Sequence, residues 1–100
     1  MFRYKKVFNG ATVKKHHSLR FTAFTNVKKP YNVFWQVVNT GQEAREVQSL
    51  RGEFYKTHIR KGRRIRKEST LYQGMHWVEC FIVKNGVCLA RSGEFVINIP

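Results

Sequence analysis

Apolar and polar residues alternate along the stretch Asn32–Gly41 in the way that a β-strand requires. Val33, Trp35 and Val37 fall on one side of an extended chain, because successive side chains of a strand point to opposite faces. Turn-forming residues flank the stretch at both ends. The pattern predicts a central strand, and Trp35 offers the largest single apolar contact available to a small core.

A second alternating stretch, Met75–Lys84, runs into Asn85-Gly86 and is followed by the short apolar segment Val87–Arg91. Asn-Gly is a strong signal for a two-residue hairpin, because both positions tolerate positive φ. The hairpin register predicts that Ile82 lies opposite Leu89. The same register puts the two cysteines on opposite faces of the sheet, so we predict no disulfide between them.

Strand-like segments recur along the chain at intervals of about ten residues, with turn residues between them. This spacing predicts an all-β domain, a small immunoglobulin-like β-sandwich of seven or eight antiparallel strands built over Trp35. A small open β-barrel is the alternative. One hundred residues suffice for one domain, residues 1–100, which could be the C-terminal domain of a longer protein.

The net charge of the chain indicates which kinds of partner it attracts. The chain has 19 Lys and Arg against 6 acidic residues, a formal net charge of +13, and no Asp. Such a surface attracts nucleotides, nucleic acid or an anionic membrane. Seven of the twelve residues in Lys56–Lys67 are basic, and Gly62 divides the segment as the tip of a hairpin would. This segment is either a solvated loop or a phosphate clamp.

Several function classes find no support in the residues. Motifs for metal hydrolysis, redox thiols and phosphate loops are missing, so we expect no catalytic residue and no cofactor. Neighbouring histidines at His16-His17 would point to opposite faces of a strand, so we expect no metal. With neither a secretory signal nor an apolar run of about 20 residues, the sequence predicts a cytoplasmic protein without a membrane partner.

The longest recognisable pattern begins at Trp35. The runs VFWQVVNTGQEA, LRGEF and KESTLYQGMHWVECFIVKNGVCLAR resemble the adenylyl/guanylyl and SMODS C-terminal sensor domain family over about two-thirds of the chain. The positions that carry the resemblance are Trp35, Val37, Asn39, Gly41, Glu43, Ala44, Leu50, Arg51, Gly52, Glu68, Thr70, Tyr72, Gly74, His76, Val78, Glu79, Cys80 and Ile82.

The resemblance implies a non-catalytic domain that senses a nucleotide or oligonucleotide second messenger in bacterial anti-phage signalling. Such domains lie at the C-terminal end of nucleotidyltransferases and cyclases, so the resemblance also implies an upstream nucleotidyltransferase domain as partner. The basic segment Lys56–Lys67 departs from the family pattern and is compatible with an RNA or DNA ligand.

Candidate ligand-binding residues occur within and near the last of these runs. In an extended chain Glu68, Thr70, Tyr72 and His76 would share one face, and the usual alternation favours a solvent-facing role for that face. In the ligand-binding interpretation Tyr72 stacks on a base while Thr70 and His76 hydrogen-bond to the ligand. Arg51 would bind phosphate together with Arg64 or Arg66, or else form an ion pair with Glu68.

Three hypotheses remain at this point. The first is a nucleotide sensor that uses these ligand-binding residues. The second is a general RNA- or DNA-binding module that uses the basic hairpin. The third is a protein-interaction domain that docks through exposed apolar residues.

Overall fold

The computed structural model describes residues 7–40 and 54–100, and every regular element in these two ranges is a β-strand. The strands are β1 (Ala11–Thr12), β2 (Ser18–Ala23), β3 (Asn32–Asn39), β4 (Phe54–Lys56), β5 (His58–Arg60), β6 (Arg63–Ser69), β7 (Gly74–Lys84), β8 (Val87–Arg91) and β9 (Phe95–Ile99). The predicted central strand is confirmed as β3. Within the same ranges no helix has the length and apolarity needed to span a bilayer.

The larger sheet is organised around β7, whose eleven residues pair with three other strands. Strand β3 lies along one edge of β7, and β9 and β8 share the other edge, at its beginning and its end respectively. Strand β4 extends the sheet beyond β3, and β1 extends it beyond β9. The β1–β9 pair is parallel, whereas the sequence predicted only antiparallel strands.

The smaller sheet contains β2, β6 and β5 in that order, all antiparallel. Strands β5 and β6 form a tight hairpin whose two turn residues, Lys61 and Gly62, have φ of 50° and 75°. Gly62 tolerates this backbone without a steric cost, because it has no Cβ. The predicted hairpin tip at Gly62 is therefore confirmed.

The two sheets pack face to face through aromatic rings. Phe21 of β2 contacts Trp35 of β3 and Phe95 of β9, with ring centroids 6.4 Å and 5.7 Å apart. Trp35 is only 3% exposed and packs in a cluster with Val33, Val37, Val78 and Ile82. The described strands form two facing sheets without closing into a barrel, which confirms the predicted small sandwich over Trp35.

The strands of the two sheets are aligned, so the sandwich has two distinct ends. Arg64, which pairs with the last residue of β2, lies over the ring of Tyr31, immediately before β3. We call this the turn end; it contains residues 24–31 and the turns at 61–62 and 85–86. The opposite end contains the end of β3 and the link between β6 and β7, residues 70–73.

Thr57 joins the two sheets at the point where the chain crosses between them. It separates β4 of the larger sheet from β5 of the smaller one. Its Oγ1 accepts a hydrogen bond from Trp35 Nε1 at 3.0 Å and donates one to the Ile65 carbonyl oxygen at 3.3 Å. One hydroxyl therefore satisfies the buried indole and connects it to β6.

The β7–β8 hairpin turns at Asn85-Gly86, with φ of 52° and 75°, as the sequence predicted. Val83 pairs with Cys88, but a bulge follows, and Ile82 lies opposite Ala90. The predicted pairing of Ile82 with Leu89 is therefore wrong, because a bulge places one extra residue on one strand of a pair. Both cysteines are free thiols.

A buried carboxylate stabilises the outer face of β7. Glu79 is 2% exposed, and it accepts two hydrogen bonds from the Arg91 guanidinium, at 2.8 Å and 3.0 Å, and one from the Gly93 backbone N–H. The hydrogen bond from Arg91 lowers the pKa of Glu79 and outweighs the opposing effect of burial. This pair holds β8 and the start of the following loop against β7.

We expect Thr57→Val to lower the free energy of unfolding by about 1–3 kcal/mol, because it leaves the buried indole N–H of Trp35 without an acceptor. Urea denaturation followed by tryptophan fluorescence measures the change. Thr57→Ser, which keeps the hydroxyl, is the matched control and should lose much less. Equal stability of the valine and serine variants would contradict the bridging role.

The Glu79–Arg91 pair predicts a pH-dependent stability. Because the folded-state pKa of Glu79 is lowered, its contribution is complete above the ordinary glutamate pKa of about 4.3 and disappears as pH falls through the folded-state value. We expect Arg91→Ala to reduce Tm at pH 7 by an amount that shrinks as the pH is lowered through the glutamate range. Arg63→Ala, at another exposed arginine, is the control for general charge loss. A Tm difference for Arg91→Ala that stays constant with pH would refute the prediction.

Candidate functional site

A cleft of about 170 Å³ opens between the two sheets at the end opposite the turns. Both sheets and the link between β6 and β7 contribute to its wall. The residues that line it are Leu19, Phe21, Val37, Asn39, Glu68, Ser69, Leu71, Tyr72, His76, Val78, Ile97 and Ile99. The wall is therefore mainly apolar, with a few polar groups from the link and the adjoining strand ends.

Three of the predicted ligand-binding residues meet at this cleft. Glu68 comes from β6 in the smaller sheet, Tyr72 from the link, and His76 from β7 in the larger sheet. The chain leaves one sheet at Ser69 and enters the other at Gly74, so these residues do not follow one strand face as the sequence analysis assumed. They converge because the chain crosses over the mouth of the sandwich.

His76 is buried, and both of its ring nitrogens have partners. Nε2 lies 2.7 Å from the Tyr72 carbonyl oxygen, and Nδ1 lies 3.0 Å from Asn39 Oδ1. The Tyr72 carbonyl oxygen only accepts, so Nε2–H donates that hydrogen bond, while the direction of the bond between Nδ1 and the Asn39 amide follows from the ring tautomer. The imidazole thus fixes the link against β3 and β7, and what it offers a ligand is its ring surface more than a hydrogen bond.

Thr70 is completely buried and serves the fold. Its Oγ1 accepts a hydrogen bond from the His17 backbone N–H at 2.8 Å and donates one to the Lys14 carbonyl oxygen at 2.7 Å. Its backbone N–H and carbonyl also bond to residues 16 and 17. These bonds attach the segment before β2 to the link. The sequence favoured a solvent-facing role for the face shared by Glu68, Thr70, Tyr72 and His76. That interpretation is wrong, because Thr70 and His76 are both buried.

Glu68 forms an ion pair with Arg66 two residues earlier on the same strand face. Arg66 Nε donates to Glu68 Oε2 at 2.7 Å, and the two side chains are only 15% and 11% exposed. Arg66 does not line the cleft but borders a shallow groove beside it, where Arg20 and Lys67 also lie. The carboxylate at the cleft wall is thus neutralised by an adjacent guanidinium.

Two of the predicted phosphate-binding residues, Arg64 and Arg51, are not among the described residues that line the cleft. The Arg64 guanidinium lies at the turn end, with its carbon 4.4 Å from the centre of the Tyr31 ring. Arg51, with its proposed roles toward phosphate or Glu68, lies outside the described residues. Of the predicted set, Glu68, Tyr72 and His76 therefore form the candidate site.

Strand periodicity alone does not identify the apolar residues of the cleft or the role of Asn39. Leu19 and Phe21 form one wall of the cleft. Asn39 ends β3 directly opposite His76, and its side chain pairs with the His76 ring. The pairing of β3 with β7 was the missing information, because it brings positions 39 and 76 together.

The described residues contain no group of three or more His, Cys, Asp or Glu side chains arranged to hold a metal ion. Cys80 lies on the inner face of β7, and burial raises the pKa of its thiol. A raised pKa disfavours the nucleophilic thiolate. The mainly apolar lining of the cleft suits an apolar or aromatic group.

The chain is similar in sequence to known proteins. No solved structure matches the chain. Among curated proteins, a cytidylate cyclase of Staphylococcus aureus is 28% identical over 82 residues, which cover 80% of this chain and 19% of that protein. The chain thus spans about a fifth of the length of this relative. The family model described as Adenylyl/Guanylyl and SMODS C-terminal sensor domain matches residues 1–100. The chain therefore belongs to the adenylyl/guanylyl and SMODS C-terminal sensor domain family.

Proposed function

We propose that this domain is a non-catalytic sensor that binds a nucleotide or oligonucleotide second messenger in bacterial anti-phage signalling. The observation that carries the proposal is the convergence of Glu68, Tyr72 and His76 on one cleft between the sheets. The family description, a sensor domain associated with nucleotide cyclases, supports the same role.

The size and lining of the cleft favour a nucleobase as the group that enters. Its volume of about 170 Å³ is smaller than the roughly 300–1,000 Å³ typical of sites that enclose a whole ligand. The apolar side chains of Leu19 and Phe21, with the aromatic ring of Tyr72, suit a planar heterocycle. Base–aromatic stacking is favourable for every base, so this contact supplies affinity before any base is distinguished.

The phosphates would remain outside, at the rim. The apolar side chains that form most of the cleft wall offer a phosphate no hydrogen bonds in exchange for its hydration. A nucleotide would therefore insert its base and leave its phosphates in contact with solvent at the mouth.

The partner that the sensor controls would be a catalytic domain of the same protein. The family is named for its C-terminal position, and the matched relative is a cytidylate cyclase about five times longer than the matched segment. We propose that an upstream nucleotidyltransferase or cyclase domain responds to ligand binding in the cleft. The two free thiols fit the reducing cytoplasm in which such signalling would occur.

A panel of cyclic mononucleotides and short linear or cyclic oligonucleotides tests the cleft. We expect at least one to raise Tm saturably, since a ligand that binds only the folded state stabilises it. Tyr72→Ala should weaken that ligand about tenfold or more by isothermal titration calorimetry, because the stacking surface is lost. The variant keeps the backbone carbonyl that binds His76, so the cleft itself should persist.

Met75→Ala provides the matched control, because Met75 is exposed on the face of β7 opposite to His76. The affinity of Met75→Ala for the ligand should equal that of the wild type. Tyr72→Phe, which keeps the aromatic ring, should retain most of the wild-type affinity. If no ligand in the panel binds saturably, or if Tyr72→Ala and Met75→Ala bind equally well, the proposed site is wrong.

A further inference from the structure

The turn end of the sandwich carries cations from four neighbouring segments. The loop before β3, the β5–β6 turn, the start of β6 and the end of β7 all contribute. The cations are Lys28, Lys29, Lys61, Arg63, Arg64 and Lys84. Four of these six residues are exposed: Lys28, Lys29, Lys61 and Arg63.

Two side-chain contacts join these segments into one surface. Lys84 Nζ donates to the Lys28 carbonyl oxygen at 2.8 Å, which ties the end of β7 to the loop before β3. The Arg64 guanidinium lies over Tyr31 in the same loop, 4.4 Å from the ring centre. Stacking on a ring fixes the plane of a guanidinium and leaves its edge able to bind a phosphate.

Among the described residues the turn end contains no carboxylate. Glu68 lies at the opposite end, beside the cleft, and Glu79 pairs with Gln36 in the middle of β3. Glu94 precedes β9, which pairs with the first half of β7. The positive charge at the turn end is therefore not balanced by the described acidic residues, and it forms a site of strong anion attraction.

An aromatic side chain lies within this cationic surface. Phe24 directly follows Ala23, the register partner of Arg64, and it is 84% exposed. An exposed phenylalanine costs free energy in water, yet it offers a flat ring for stacking. Cations for phosphates beside a ring for a base are the combination used by proteins that bind single-stranded nucleic acids.

We propose that the turn end is an interface for single-stranded nucleic acid, separate from the nucleotide cleft. Lys28, Lys29 and Arg63 contact successive phosphates, Arg64 binds a phosphate with its guanidinium held on Tyr31, and Phe24 stacks on one base. A duplex keeps its bases paired and stacked on each other, so it cannot offer one to Phe24 and binds less tightly. The fixed guanidinium favours nucleic acid over an anionic bilayer, whose fluid headgroups have no need of a fixed orientation.

Fluorescence anisotropy with a labelled twelve-nucleotide oligouridylate and with a matched duplex tests the proposal. We expect the single strand to bind more tightly, with log K falling linearly with log salt. Lys28→Ala/Lys29→Ala should weaken binding about tenfold or more and reduce the slope by about 0.7 for each lost phosphate contact. Phe24→Ala should weaken binding about fivefold or more without changing the slope, because it removes stacking and no charge.

Lys14→Ala/Lys67→Ala is the matched control, since it removes the same charge from exposed lysines at the opposite end. Its affinity should stay within about twofold of the wild type, as long-range effects are screened at physiological salt. Equal losses in the two double variants would overturn the interface and leave only a general attraction to polyanions. Unchanged affinity in Phe24→Ala, or tighter binding to phosphatidylserine vesicles than to the oligonucleotide, would overturn it as well.

Discussion

The packing and hydrogen bonding of Trp35 determine how the two sheets are held together. Its ring fills the centre of the core against Phe21, while its N–H must be paired because it is buried. Thr57 provides that pairing at the residue where the chain passes from the larger sheet to the smaller one, and it also bonds to β6. The two hydrogen bonds of the Thr57 hydroxyl therefore link the larger sheet to the smaller one beside the aromatic contact of Trp35 with Phe21.

The two ends differ because the same strands carry different residues there. At one end the inner faces of β2, β3 and β7 continue as apolar side chains, and the β6–β7 link crosses them without filling the space, which leaves the cleft. At the other end Arg64 of β6 lies over the ring of Tyr31. The neighbouring loop and turn there contain Lys28, Lys29 and Lys61. One end therefore suits an uncharged ring, and the other suits phosphates.

Much of the fold could be predicted from the sequence, because strand periodicity and turn chemistry are local. The alternation around Trp35, the Asn85-Gly86 turn and the Gly62 hairpin each correspond to an observed element. The errors concern relations between distant segments. Nothing local to β8 indicates the bulge that puts Ile82 opposite Ala90, and nothing local to β1 indicates its parallel pairing with β9.

The candidate site was less predictable for the same reason. The motif around Tyr72 and His76 identified residues that do line the cleft, but it could not show that Thr70 is buried as a tether or that Arg64 lies at the far end. A family motif combines residues needed for binding with residues needed for folding. Burial and hydrogen bonding distinguish them here: the Thr70 hydroxyl is fully used within the fold, whereas Tyr72 keeps part of its surface exposed at the cleft.

The charge distribution explains why specificity must come from the apolar part of the cleft. Glu79 is paired with Arg91 and Glu68 with Arg66, so two of the described carboxylates are neutralised locally, while most cations face solvent. A surface with a net charge of +13 attracts every nucleotide and oligonucleotide, whatever the base. Long-range attraction raises the local concentration of such ligands without distinguishing them. In the proposed sensor, stacking on Tyr72 accepts every base, so discrimination has to come from the shape of the cleft, whose walls limit the size of the group that enters.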